Sequence, residues 1–575
     1  MVTPPSTPTS TTHNPVAAGS DIPPASDSEV TTASRVSSGP ELIGLPSPND
    51  ESPFPPRYHW LKRIMLAAVL SILFLLAIRL AWGWHAHRAF ERAIAEIKQR
   101  GKPIEPEDFD SPEIPDEENA VVFLLKAIDA LDLTPEAFEF VDAALGSTVL
   151  EFESGEWTRV ESDTARRIEA RNAEALRLVR TARRAPRAAW GHNFDSPVIN
   201  VMFPKHSELR QLLKLLNALS MAASQRGDHH NAVQYIRDML AIAEFLHEEP
   251  TLLGHLNARA GVRCATVRVE DALPLIRQFG LDTLPAPDGT RPVTRTDAEE
   301  LLQALLGESR YVSAGPNKMR FERMLVCDLI RCITSGRAEI QSLNSRLGIV
   351  QPSRLEYLLA WPFFPAFFAD GHRAIEILSG YVEALASPNW PLAKRWFSGN
   401  EVDSKIGDWF IRPMTRAMGT IQGLGYFARL HYEGMTERRM AATAVAIRLF
   451  REDHGRRPDT LEELVPKYLP AVPRDPMAED DAPIRYLPNA SPPILYSVSE
   501  NGVDDGGRYL NDKGELDYNA ALDFPYFLDG RPVFEGSDDD ASADTDSGQA
   551  APHEDGVEHD QADPGDTQDE DQRPE

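Results

Sequence analysis

IMLAAVLSILFLLAIRLAWGW, residues 64–84, is the stretch that decides how this chain is built. Its first fifteen residues carry no charge. A helix needs about 20 apolar residues to cross a hydrocarbon core of ~30 Å. Trp60 and Trp82 stand 22 residues apart, about 33 Å along a helix, and tryptophan prefers the two membrane interfaces. The sequence therefore predicts one transmembrane helix within residues 60–84.

Two other interpretations of this stretch fit it less well. A buried helix of a soluble protein would show a polar stripe, which is missing here. A cleaved signal peptide would have a shorter apolar run close to Met1 and a small-residue cleavage site after it. Arg79 lies near the end of the run, where its guanidinium can reach the interface while its stem stays in lipid. We interpret the stretch as an uncleaved signal anchor.

The charges that flank the span predict its orientation. Arg57, Lys62 and Arg63 crowd the N-terminal side, whereas the basic residues beyond the span are spread out and mixed with Glu91. Cationic flanks tend to stay in the cytoplasm. We therefore expect a cytoplasmic N-terminus and a C-terminal body outside the cytoplasm.

The formal charge of the 575-residue chain is −29, and nearly half of it lies at the C-terminal end. Residues 536–575 hold fifteen acidic residues against one arginine, so we expect a solvated, disordered tail. This balance argues against nucleic acid as a partner, because that ligand requires a basic surface. The three cysteines have no CxxC spacing and predict neither a disulfide framework nor a zinc site.

Periodicity and turn residues predict a mainly α fold between two disordered tails. Thr296 and Glu299 read as a capping box before one helix, and residues 163–184 read as a single helix. Residues 355–369, LEYLLAWPFFPAFFA, are too short to span a bilayer. They predict either a proline-broken aromatic hinge or a patch resting on the membrane. The predicted domains are a disordered tail (1–56), the transmembrane anchor (60–84), a juxtamembrane helix and proline-rich linker (85–119), a body of helical hairpins (120–424), a long helix with a small α+β segment (425–535) and the acidic tail (536–575).

One hairpin of the body carries a family resemblance. GDHHNA, residues 227–232, followed by Ile236 and Leu240, resembles the turn and second helix of a tetratricopeptide repeat. In that family a small residue five positions after the turn glycine lets the two helices approach closely, and Ala232 holds that position here. The resemblance covers one hairpin and implies helical-hairpin architecture.

The C-terminal segment carries a second resemblance, over residues 441–507. A long helix leads into a short helix, a proline turn and two short apolar strands, at residues 484–487 and 494–498. This order resembles the soluble half of the major pseudopilin, protein G, of type II secretion systems. The corresponding positions are Arg457-Pro458, Leu461, Leu464, Val472-Pro473-x-Asp475-Pro476, Tyr486, Tyr496-Ser497 and Asn501-Gly502. Unlike in that family, the membrane span is not joined directly to the long helix. The whole arrangement resembles bacterial single-pass membrane proteins that have no assigned function.

The pseudopilin resemblance implies a calcium loop after the last strand. Carried over to this chain, its candidate ligands are Asn501, Asp504 and Asp505. Ca²⁺ takes 6–8 oxygen ligands, which an acidic, glycine-containing loop can supply. An ordinary Asn-Gly and Asp-Gly turn in an acidic protein explains the same residues, so both interpretations stay open. We predict no other cofactor.

No catalytic motif stands out. GxSxG, the P-loop pattern and GxGxxG are missing, and His247 has no second histidine four residues later. Asp453-His454 sits at a predicted helix end, where a structural role fits better than acid–base chemistry. We therefore expect a membrane-anchored scaffold or interaction module of the bacterial envelope, with the lipid bilayer and a protein as partners. The alternatives are an accessory component of a type II secretion or pilus-like machine, and a hydrolase or metalloenzyme whose residues converge only in the fold.

Overall fold

The computed structural model describes most of the chain between residues 58 and 532. The described ranges are 58–132, 134–145, 162–198, 201, 205–274, 279–280, 290–335, 364–399, 421–511 and 522–532. The predicted tails, 1–56 and 536–575, lie outside them, as do residues 355–363 of the apolar segment. Contacts divide the chain into two units, Met1–Ile72 and Leu73–Glu575. The first unit is described here only through residues 58–72, which begin the first helix.

Helix α1, His59–Gln99, contains the predicted span. Within the described residues it is the one helix long and apolar enough to cross a membrane, and its most apolar window has no buried residue. Towards its end, Phe90, Ile94 and Ile97 are buried. Their spacing of three and four residues makes one apolar stripe, which is how a helix packs on protein rather than lipid.

Helices make up most of the second unit among the residues that the structure describes, as predicted. Two 3₁₀ turns, Pro106–Phe109 and Asp116–Glu118, follow α1. The next helices are α2 (Ala120–Asp129), α3 (Pro135–Leu145), α4 (Ser162–Arg171), α5 (Ala173–Arg184), α6 (His206–Gln225), α7 (His229–His247), α8 (Leu252–Ala272), α9 (Arg295–Leu306), α10 (Ser309–Ser335), α11 (Phe364–Leu385), α12 (Trp390–Gly399) and α13 (Ile421–His454). One hydrophobic core runs from Phe90 to Leu528, so the helical body and the C-terminal segment share it.

The α6–α7 hairpin has the close approach that its sequence predicts. Gly227 turns the chain at a φ of +81°, a conformation that favours glycine, and the Asp228 carboxylate caps α7. Ala232 is fully buried. The Ser220 hydroxyl of α6 donates to the Ala232 carbonyl at 3.1 Å, so the two helices are in direct contact at this position.

Two helix boundaries differ from the sequence-based expectation. Residues 163–184 form two helices, because the buried Asn172 side chain donates to the Ile168 carbonyl and accepts from the Asp132 N–H. Asn172 is thus the boundary between α4 and α5. The capping box of α9 is made by Thr294 and Asp297, not by Thr296 and Glu299. Aspartate at the third position closes the box, where we had expected glutamate.

Helix α11 begins at Phe364, inside the segment that the sequence predicts to be a proline-broken hinge or a membrane-resting patch. Pro365 was expected to break the helix, but it is the second residue of α11. Proline is tolerated in a first turn because the N–H it lacks would have no partner inside the helix. The described end of the apolar segment, residues 364–369, is therefore helical and not a hinge.

Helix α13 leads into a small antiparallel sheet. Strands β1 (Arg485–Leu487), β2 (Ile494–Ser497) and β3 (Phe524–Phe527) pair in the order β1-β2-β3. The sequence predicted the first two strands and missed β3. The third strand is fixed by α8: the Tyr526 hydroxyl donates to the Thr266 carbonyl at 2.8 Å, and the Phe527 N–H donates to Glu270 at 2.7 Å.

Candidate functional site

The three predicted calcium ligands lie together in the loop after β2. The Asn501 side-chain oxygen accepts from the Val503 N–H at 2.9 Å, and Asp505 is exposed. In the part of the chain that the structure describes, no three His, Cys, Asp or Glu side chains are grouped so as to hold a metal ion. The calcium loop therefore stays a prediction.

Asp504, the central residue of that loop, already has protein partners. It accepts from Arg485 Nε at 2.6 Å, from the Tyr496 hydroxyl at 3.2 Å and from the Gly506 N–H at 3.0 Å. Partial burial opposes ionisation, but the bonds from Gly506 and Arg485 outweigh it and lower the pKa of Asp504. A calcium ion would have to share this carboxylate with a guanidinium.

The aspartate of the Pro-x-Asp-Pro turn has a structural position. Asp475 is buried and accepts from the Met477 N–H, the Ser497 hydroxyl, the Val498 N–H and Arg485. Burial raises the pKa of Asp475 in spite of these bonds. The carboxylate thus joins the turn to the end of β2 and holds the Arg485 that also reaches Asp504.

Asp453-His454, the pair considered for acid–base chemistry, ends α13 in a surface network. Asp453 accepts from Arg295, Lys467 and the Tyr468 hydroxyl, each at 2.6 Å, and these bonds lower its pKa well below its ordinary value. A shallow depression beside the network is also lined by Arg237. The three cations that line the depression are Arg237, Arg295 and Lys467. Each is paired with a carboxylate, so none of them is left unpaired for an anionic ligand.

The most unusual side-chain cluster lies in the core and combines four helices. His247 ends α7, His255 belongs to α8, His431 to α13 and Tyr311 to α10; we call them the histidine cluster. His255 lies 5.7 Å from His247 and 5.3 Å from His431 between ring centroids. The Tyr311 ring lies 4.9 Å from His247 and stacks on His431 at 5.2 Å. All four side chains are buried.

Two glycines let the rings meet. A Cβ on Gly315 of α10 would stand 3.0 Å from the His431 ring, and one on Gly434 of α13 would stand 1.9 Å from the Tyr311 hydroxyl. Any larger residue at position 434 would displace Tyr311. The close crossing of α10 and α13 at the histidine cluster therefore depends on Gly434.

The polar atoms of the histidine cluster have no partners within the described residues. Neither nitrogen of His247, His255 or His431 makes a hydrogen bond there, and neither does the Tyr311 hydroxyl. An unmade hydrogen bond in the interior costs about 1–3 kcal/mol.

Burial keeps the three imidazoles neutral. It lowers the pKa of His247 and His255 well below the ordinary value, and it lowers that of His431 to about 3. The Lys318 ammonium lies next to His247 and donates to its carbonyl at 2.9 Å. Its positive charge lowers the pKa of His247 further. Burial also lowers the pKa of Lys318, to about 8.

Buried ion pairs surround the cluster on α13. Glu437 accepts from Arg259 at 2.8 Å and from Arg263 at 2.9 Å. Arg438 is fully buried and donates to Glu244 and to the carbonyls of Ala304, Leu305 and Gly307 at the end of α9. It therefore caps α9 while it holds α7 and α13 together.

Chemically, the cluster offers neutral bases enclosed by protein. Taking up a proton there would place a charge in a site that has no counter-ion bonded to it. Because protonation of the histidine cluster is unfavourable in the folded state, the stability of the body depends on pH. Sequence reasoning missed it because the four side chains come from four helices, so no local spacing marks them. The one local signal is Gly434 within α13. Its role becomes visible only in the structure, where it makes room for the Tyr311 hydroxyl.

The chain was compared with protein-family models, with curated proteins and with solved structures, and none of them matches it.

Proposed function

We propose that this chain is a membrane-anchored scaffold or interaction protein of the bacterial envelope, with its body outside the cytoplasm. The observation that carries the proposal is helix α1, whose apolar part is exposed and whose end packs into the helical core. An exposed apolar surface of that size is stable in lipid and not in water. The acidic charge of the chain argues for protein rather than nucleic acid as the partner.

Charges in the middle of the span should remove the chain from the membrane. Each arginine at the centre of a spanning helix costs about 2.5–3.5 kcal/mol on insertion scales. We expect Leu70→Arg with Leu73→Arg to abolish the carbonate-resistant fraction when the chain is synthesised with membrane vesicles. Leu70→Ile with Leu73→Ile should insert normally. Wild-type chain that washes off in carbonate would contradict the anchor.

A second candidate function rests on the C-terminal segment. Helix α13 followed by an antiparallel sheet supports an accessory role in a type II secretion or pilus-like machine. The two functions need different surfaces. Leu253 and Leu256 are exposed on one face of α8 in the helical body, whereas Val503 is 55% exposed in the loop after β2.

Cross-linking in intact cells separates the two functions. We expect full-length wild type to give a discrete larger species, and Leu253→Asp with Leu256→Asp to lose it while Val503→Asp keeps it, because a charge at an apolar contact prevents docking. The reverse pattern, with a reduced profile of secreted proteins for Val503→Asp, would favour the secretion role. No discrete species from wild type would count against both.

A further inference from the structure

Helix α1 changes its surroundings between Gly83 and Phe90. From residue 73 to Trp82 its side chains are exposed, apart from a half-buried Arg79. Beyond Gly83, Ala86 and Phe90 are buried on one face. The helix therefore passes here from a lipid-like surface to a protein-packed one, and Trp82 and Trp84 mark the change as an interfacial belt.

The first turns of α11 pack against α1 at this level. A Cβ built on Gly83 would lie 3.4 Å from the Pro365 ring, in ordinary contact. The Phe368 ring lies 4.6 Å from His87 and 5.8 Å from Phe90. The beginning of α11 thus touches α1 both at the tryptophan belt and one turn above it.

These contacts fix how far α11 stands from the hydrocarbon core. Gly83 and His87 are four residues apart, which is about 6 Å along a helix. The polar layer on each side of a bilayer is also about 5–8 Å thick. Groups that touch α1 between these two residues therefore lie at the depth of the lipid headgroups.

The surface at this depth suits a membrane interface. Residues 365–369 carry no charge; Pro365 and Ala366 are buried, Phe367 and Phe368 are half-buried, and Ala369 is exposed. On α1, Trp84 is 62% exposed and Arg88 lies over its ring at 4.8 Å, with Arg92 exposed one turn further on. An apolar rim below a basic rim is the arrangement that interfacial elements use towards phosphate-bearing lipids.

We propose that the accessible parts of Phe367, Phe368 and Ala369 rest in the headgroup layer, so that the bilayer contacts the body at a second element beside the span. This inference rests on the proposed membrane anchor. Lipid is the partner that fits because the same few ångströms hold the tryptophan belt and the uncharged turn. The contact fixes the base of the body against the membrane surface.

Spin labels on single introduced cysteines test the depth of this turn. The full chain is reconstituted in vesicles of phosphatidylethanolamine and phosphatidylglycerol, and label accessibility to oxygen and to a water-soluble nickel complex is measured. The label at Ala369→Cys is expected to be protected from nickel at least several-fold relative to Ala386→Cys. Both alanines are exposed; Ala369 lies on α11 and Ala386 directly follows its last residue, 17 positions further along the chain, and the three native cysteines are buried.

A label at Leu73→Cys tests the membrane anchor separately from the headgroup contact. It should be reached by oxygen and not by nickel, because this residue belongs to the span. If position 73 behaves so while 369 is as nickel-accessible as 386, the headgroup contact is wrong and the anchor stands. If position 73 is itself open to nickel, the anchor fails and the contact fails with it.

Discussion

Acidification from pH 7.5 to pH 5.0 is expected to cost the folded body about 6 kcal/mol through the histidine cluster, roughly 2 kcal/mol for each imidazole. Burial lowers the pKa of His247, His255 and His431, whereas an unfolded histidine has a pKa of about 6.5. Below pH 6.5 the unfolded chain therefore binds more protons than the folded one. The stabilisation is fully present above that pH and is lost as the pH falls towards the folded pKa values.

Two half-buried carboxyls act in the opposite direction over the same range. Partial burial raises the pKa of Glu322 to about 7 and that of Asp271 to about 6, so these groups take up protons in the folded state first. Their contribution to stability rises as the pH falls. The unfolding free energy as a function of pH therefore contains contributions of both signs. A comparison between variants isolates the contribution of the imidazoles.

His431→Asn is the variant that makes this comparison. It removes one buried base, so the gap in unfolding free energy between wild type and variant should shrink by about 2 kcal/mol from pH 7.5 to pH 5.0. Tyr311→Phe is the matched control, because burial raises the tyrosine pKa and the group stays neutral throughout. Urea denaturation of the full chain in detergent, followed by circular dichroism, gives the curves. Parallel curves for wild type and His431→Asn would refute the assignment.

How much of this could be predicted from the sequence depends on the range of the interaction. The long apolar helix within α1 was predicted from its own residues, and the structure contains it. The end of α13 before Gly455 and the cap of α7 at Asp228 likewise depend on residues within a few positions. The helix boundary at Asn172 is different, because the Asn172 side chain there accepts from the Asp132 N–H, 40 residues away. A mid-helix asparagine alone predicts no such bond.

Strand β3 shows the same limit in the C-terminal segment. FPYF, residues 524–527, is a short apolar run that contains Pro525, and a proline argues against a strand. Its pairing is completed by Glu270 and Thr266 of α8. These partners lie more than 250 residues earlier. The histidine cluster and Arg438 follow the same rule, since each depends on several helices whose packing no local pattern reveals.

Arg438→Met is expected to destabilise the body by about 3–5 kcal/mol, which is typical when one partner of a buried ion pair is removed. The methionine keeps most of the stem but leaves the Glu244 carboxylate and three carbonyls of α9 without their donor. A lysine could not restore them, because a single ammonium lacks the planar fork of the guanidinium.

Arg439→Met is the matched control on the same helix. Arg439 is partly exposed and bonds Glu308, so its loss should cost about 1 kcal/mol or less. Urea denaturation of the full chain measures both variants, and equal losses would contradict the role of Arg438. If Arg438→Met does not accumulate, adding Glu244→Gln decides the matter. Removing the abandoned charge should recover part of the folded protein, because an unpaired buried carboxylate costs more than a missing pair. A double variant no better than the single one would show that the carbonyls of α9, rather than Glu244, are what Arg438 holds.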